Sequence, residues 1–244
     1  MNTFTVEELF KKGFHYGHKI TCTNTKMKPY IFDTRWGISI IDLTKTTVLF
    51  NSALKLLDEI IKKNGKVLFV GTKNQAKSLI KKTATECGEF YVNQRWLGGT
   101  ITNNHFTIGV MSSQLKKIQL NEESGFVLNF AKKEQLELNR KKTKLLNLIE
   151  GIKELKGEPD LLIVIDAQKE KNAILEANKR KIPVIALTDT DTSFPDMISN
   201  IVPGNDEGAL CIEFFLEQCA ATILAAKASI PVVEKKEKVI IKKD

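Results

Sequence analysis

The chain has 244 residues, 42% hydrophobic and 27% charged, with a formal net charge of +8 and an isoelectric point near 9.2. That length and balance give one large or two small domains with an ordinary core, and exclude a disordered chain, a collagen-like fibre and a disulfide scaffold. The charge is uneven: residues 1–157 carry a net +12, residues 158–226 a net −7 and the remainder a net +3, a polar field that suits a polyanionic partner, most often nucleic acid.

Thr5-Val6-Glu7-Glu8 has capping-box spacing and predicts a short helix to about Lys12, stopped by Gly13. Residues 14–36 read as an irregular segment, basic and aromatic. Residues 37–42 read as a strand. Apolar positions at Leu49, Ala53, Leu56, Leu57, Ile60 and Ile61 predict a helix over 45–63, with Gly65 as its C-terminal cap. A continuous apolar run at 66–70 predicts a strand buried on both faces, then a helix capped by Asn74 and ending at Cys87-Gly88, then a strand over 89–92. The unit returns as a strand over 160–165, a helix over 169–180, strands over 182–187 and 198–202, and a long apolar helix over 206–227.

Alternating strands and helices predict a three-layer α/β domain with a flavodoxin- or Rossmann-like parallel sheet. It should comprise residues 1–103 and 158–226. Between its halves, residues 104–157 hold an apolar stripe at Ile108, Met111, Leu115 and Ile118. Leu138, Leu145 and Ile152 follow at seven-residue spacing. These predict an inserted antiparallel, coiled-coil-like helical hairpin that turns near Gly125. Residues 227–244 alternate Lys and Glu and are expected to be disordered. The scattered Cys22, Cys87, Cys211 and Cys219 predict reduced thiols. Neither a membrane span nor a secretory leader is expected.

Signals for catalysis are weak. Gly71-Thr72-Lys73 lies at a strand end, where nucleotides bind in such folds, but no glycine-rich phosphate motif surrounds it. No serine sits in a nucleophile elbow. Asp189 and Asp191 could hold magnesium or cap a turn. His15, His18 and Cys22 lack a fourth ligand for structural zinc. No cofactor and no metal are expected.

Two clusters suit RNA better. In the first, His15, His18, Tyr16, Tyr30 and Trp36 are interleaved with Lys11, Lys12, Lys19, Lys26, Lys28 and Arg35. Cations hold phosphates and aromatic planes stack on bases, although some of these rings could equally pack on the sheet. The second runs from Asn93 through Arg95, Trp96, Gly98 and Gly99 to Thr102, Asn103 and Asn104. It is either an RNA-facing loop with amide and hydroxyl donors or a turn that buries Trp96.

At this point the chain resembles a known family. The marks are residues 13–18 (GFHYGH), 26–32 (KMKPYIF), 40–43 (IIDL), 67–73 (VLFVGTK), 93–99 (NQRWLGG) with Thr102-Asn103, and 203–206 (PGND), in that order. Together they resemble the universal small-ribosomal-subunit protein number 2 family, in its bacterial and organellar form. The resemblance implies a flavodoxin-like domain with an inserted hairpin that serves as a structural constituent of the small subunit and is not an enzyme. It implies contacts to small-subunit rRNA and neighbouring ribosomal proteins, including the messenger-binding protein number 1, with no membrane contact and no homo-oligomer. The expected location is the ribosome of a bacterial cytoplasm or of an organelle that encodes the chain. The sequence departs from the family at Asn24-Thr25 and at Asp191 with the longer stretch Thr192 to Pro195.

The RNA-contacting residues expected from both lines are Lys11, Lys12, Lys19, Lys26, Lys28, Arg35, Lys73 and Arg95 for phosphates. His15, His18, Trp36 and Trp96 are expected to stack or meet sugars, with Thr102, Asn103 and Asn104 in support.

Overall fold

The computed structural model describes residues 4–124, 130–155 and 157–229. Helix α1 (Val6–Lys11) starts with the expected box, in which Thr5 Oγ1 accepts from the Glu8 amide and the Glu8 carboxylate accepts from the Thr5 amide. Residues 14–36 are not irregular throughout: they contain β1 (Tyr16–Lys19) and β2 (Ile31–Arg35), which pair with the expected strand, β3 (Ile38–Ile41), in a small antiparallel sheet ordered β1-β3-β2. Trp36 and Gly37 both take positive φ, 48° and 77°, as a two-residue hairpin turn requires. A bulky residue rarely adopts that conformation, so the turn was hidden in the sequence.

Helix α2 (Leu43–Lys62) is capped by Asp42, which accepts from the Thr44 amide at 3.0 Å. Its left-handed terminal residue is Asn64, not Gly65. Gly65 is needed for space, because a Cβ there would lie 2.8 Å from the Ile60 carbonyl oxygen. There follow β4 (Val67–Val70), α3 (Asn74–Cys87), β5 (Phe90–Val92), α4 (Val110–Glu123), α5 (Lys132–Ile149), β6 (Leu161–Ile165), α6 (Lys171–Lys179), β7 (Val184–Thr188), β8 (Asn200–Pro203) and α7 (Ala209–Ser229). Asn74 is the first helical residue of α3 and makes no capping bond; Lys73 holds the cap position.

Strands β4 to β8 form one parallel sheet ordered β5-β4-β6-β7-β8, the doubly wound order with its switch point between β4 and β6. Right-handed crossovers send helices to opposite faces on either side of that point. Accordingly Val67, Phe69, Leu161, Ile163 and Ile165 bury against α2, α3 and α7, while Leu68, Val70, Leu162 and Val164 bury against α6. This two-sided burial is why the strands are unbroken apolar runs. Helix α7 is long and apolar enough to cross a membrane by length and composition, but half of it is buried and it packs on α2 and α3. Because α7 continues to Ser229, Lys227 to Ser229 are helical, contrary to expectation. The rest of the expected tail and the turn at Gly125 lie outside the described residues.

The helical segment is the connection from β5 to β6. A π-helical turn, His105–Gly109, leads into α4, and α4 packs on α5. Lys142 of α5 pairs with Glu122 of α4. Ile108, Leu115, Ile118, Leu145, Ile149 and Ile152 join the same apolar cluster as β4 and β6. The root of the helical pair is therefore part of the sheet's own core.

Candidate nucleic-acid interface

The first cluster is spread over the small antiparallel sheet, the end of α1 and the turn Thr25–Tyr30 between β1 and β2. Lys11, Lys19 and Lys28 are exposed and form no ion pair among the described residues. Lys26 meets Asp196 at 2.6 Å and Arg35 meets Asp33 at 3.4 Å, both exposed pairs of small worth that a phosphate can replace. Lys12 is half-buried, with its Nζ 5.6 Å over the Phe214 ring. Trp36, at the hairpin tip, is 97% exposed and free to stack. His15 is not. Its ring stacks on Phe10, centroids 4.2 Å apart, and meets the tilted Tyr16 ring at 4.0 Å, and burial lowers its pKa. Phe10 and Tyr16 are the more exposed rings of this group.

His18 and Lys73 also depart from expectation. They sit at the C-terminal edge of the parallel sheet, among carboxylates that follow its strands. Lys73 Nζ lies 2.7 Å from Asp206 and 3.0 Å from Asp166, with the lysine side chain 14% exposed. Asp166 also accepts from the Lys169 amide, and Glu170 accepts from the Thr72 amide and hydroxyl. The ligand crevice of a doubly wound sheet is thus filled by an internal ion network, and Lys73 has no charge to spare for phosphate. His18 Nδ1 lies 2.7 Å from Asp189. His18, Asp189 and Asp206 bring one ligand atom each within 4.8 Å of one another and could hold a cation, a grouping that joins two segments weighed separately in the sequence. Cys22 is exposed and outside this group.

The same network carries a pH dependence. The hydrogen bond to Asp189 is the largest cause that raises the His18 pKa to about 9; burial opposes it, and the charges of Asp189, Asp191 and Asp206 reinforce it. A raised histidine pKa adds stability that is complete below about 6.5 and lost as pH climbs through about 9. Wild-type stability should therefore decline across that window, and His18→Gln should flatten the decline while costing about 2 kcal/mol at pH 6. Chemical denaturation at stepped pH measures both.

The second cluster divides between outside and inside. Gln94, Arg95 and Asn103 are exposed, Asn104 is half-buried, and Arg95 forms no ion pair among the described residues. Trp96 is only 9% exposed, and its indole N–H donates to Glu176 Oε1 at 3.0 Å. A ring so enclosed offers no face to a base, which corrects the stacking role expected of it. Thr102 is engaged too. Its amide and hydroxyl donate to Glu176 Oε2 at 3.2 and 3.3 Å, and its carbonyl accepts from Arg180 at 2.9 Å.

Residues 9–226 match the family described as Ribosomal protein S2. The chain belongs to the ribosomal protein S2 family. It is 42% identical over 234 residues to the small ribosomal subunit protein uS2 of Psychromonas ingrahamii, covering 96% of this chain and 95% of that one. It is 44% identical over 210 residues to the uS2 of Rickettsia bellii, covering 86% and 72%. It is 43% identical over 223 residues to the uS2 of Baumannia cicadellinicola, covering 91% and 95%.

In this S2-family chain the Asn24 amide donates to the Thr190 carbonyl at 2.8 Å. Thr190 Oγ1 also accepts from the His18 amide at 3.0 Å, so the loop between β7 and β8 holds the antiparallel sheet in place. Glu176 was missed from the sequence. Its signal was its position on α6, three residues after Ala173 and one before Ala177, both fully buried. A carboxylate on an apolar stripe needs an internal partner.

Proposed function

We propose that this chain binds small-subunit rRNA through Lys11, Lys19, Lys28 and Arg95, with Lys12, Lys26 and Arg35 in support. Trp36 stacks on an unpaired base, and Asn103 and Asn104 bond to ribose or phosphate. The chain is a structural constituent of the small ribosomal subunit. What carries the reading is the placement of the cations: Lys11, Lys19, Lys28 and Arg95 are exposed and form no ion pair among the described residues. Of the acidic residues in 158–226, Asp166, Glu170, Glu176, Asp189 and Asp206 are buried, while Glu158, Asp160, Asp191, Asp196, Glu207, Glu213 and Glu217 are exposed or half-buried. The role is a scaffold's, without catalysis, because Lys73, the lysine that would serve a nucleotide at Gly71 to Lys73, already answers two carboxylates. Neighbouring ribosomal proteins, including the messenger-binding protein number 1, complete its contacts, and it works as a single copy on ribosomes of the bacterial cytoplasm.

The test is salt dependence. Binding to small-subunit particles depleted of this protein by a high-salt wash should weaken linearly on a log–log salt scale. Arg95→Ala should lower the slope by about one, as should Lys28→Ala. Lys73→Met should leave the slope unchanged, because that lysine meets no phosphate. A wild-type slope near zero would remove the reading.

A further inference from the structure

The loop from Arg95 to Asn104 has a backbone that points its donors inward at one group. The Gly99 amide donates to Glu176 Oε1 at 2.8 Å and the Ile101 amide to Oε2 at 3.1 Å. With the Trp96 indole and the amide and hydroxyl of Thr102, one carboxylate collects five donors from residues 96–102. No cation pairs with Glu176 among the described residues, so backbone and side-chain dipoles balance its charge, as they do when a loop nest holds a phosphate. Just past the end of α6, Arg180 donates to the Thr102 carbonyl at 2.9 Å. Gly99 has φ +86°, a conformation that favours glycine and aims its amide at the carboxylate.

We propose that Glu176, on α6 and outside the loop, is the positioning residue that fixes the Arg95–Asn104 loop in its RNA-binding form. The proposal rests on the RNA-binding reading above. The anion inside the loop takes the amides, so RNA meets the outward side chains, Arg95 and Asn103, presented from a fixed backbone. Burial by itself would raise the Glu176 pKa, but the bonds from Trp96, Gly99, Ile101 and Thr102 outweigh it and hold the pKa below the ordinary carboxylate value. The group is therefore charged at neutral pH.

Glu176→Gln tests this, because it keeps the shape while turning one acceptor into a donor that faces other donors. The amides of Gly99, Ile101 and Thr102 should exchange at least about tenfold faster, while those of β4 and β6 stay as in wild type. Binding to the washed particles should fall to the level of Arg95→Ala, with the salt slope lower by about one. Adding Arg95→Ala to Glu176→Gln should then cost nothing more, whereas a residue that only supports the fold would give additive losses and an unchanged slope. If Glu176→Gln does not fold, Glu176→Asp takes its place in the same cycle. It keeps the charge but reaches fewer donors, and partial non-additivity with Arg95→Ala is expected. An effect of Arg95→Ala combined with full additivity overturns the positioning role alone. No effect of Arg95→Ala overturns the RNA reading beneath it.

Discussion

Lys73→Met should destabilise the protein by roughly 3–5 kcal/mol, the cost of leaving buried charges without their partner. Asp206 is 1% exposed and Asp166 is 5% exposed, so neither carboxylate can turn to water when the ammonium is gone. Even with Lys73 present, the Asp206 pKa is raised to about 7, first by burial and then by the Asp166 charge, with Lys73 pulling the other way. Removing Lys73 takes away that opposing pull and lets the pKa rise further. A carboxyl whose folded pKa lies above its unfolded one adds stability that is present at low pH and lost as pH rises through the folded value. The deficit of Lys73→Met should thus be smallest near pH 5 and largest above pH 7, and Asp206→Asn added to Lys73→Met should recover part of it. Urea denaturation of the three proteins at pH 5 and pH 8 measures this. An equal deficit at both pH values, or one below about 1 kcal/mol, would mean that the network does not hold this edge of the sheet.

Gly151→Ala should cost about 3 kcal/mol, at the upper end of what overpacking does. Gly151 lies where the helical pair returns to the sheet. Its carbonyl accepts from the Tyr91 amide at 3.1 Å, along the outer edge of β5. A Cβ there would lie 2.2 Å from the Tyr91 carbonyl oxygen and 2.6 Å from its ring. Both are backbone or ring atoms that cannot swing aside, so the strand and the root of α5 must separate. The neighbouring pair of Lys81 with Glu150, at 2.8 Å, should loosen with them. Gly88→Ala is the control. Gly88 has φ +66° with nothing within 4 Å of an added Cβ, so only backbone strain opposes the change, worth about 1 kcal/mol. Thermal melts rank the two, and faster exchange of the Tyr91 amide in Gly151→Ala alone would locate the damage.

The parallel sheet could be read from the sequence because strands buried on both faces must be continuous apolar runs, and Leu161 to Ile165 or Val184 to Thr188 can be little else. Helix α3 was equally legible, since Gly88 ends it in the left-handed conformation. Of the antiparallel sheet only β3 was legible, within the strand expected over 37–42. The sheet's turn uses Trp36 at positive φ, and its strands pair basic residues with apolar ones without clear alternation. At the site, exposure was harder to read than chemistry. Arg95 and Trp96 are adjacent, yet one faces solvent and the other the core, because Glu176, 80 residues along the chain, claims the indole. His18 and Lys73 look like surface cations until the strand ends of β6, β7 and β8 are placed side by side. A parallel sheet brings Asp166, Asp189 and Asp206 to one edge, and that rule could have been applied to the sequence.

Folding those acids inward changes how the free chain meets its surroundings. The net charge of +8 counts every carboxylate equally, but an approaching molecule feels mainly the groups at the surface. From outside, the protein is more cationic than its titration total. Between synthesis and incorporation it should therefore adhere to any polyanion at low ionic strength, and its correct placement then depends on weak early contacts that are reversed quickly enough for a better site to be found.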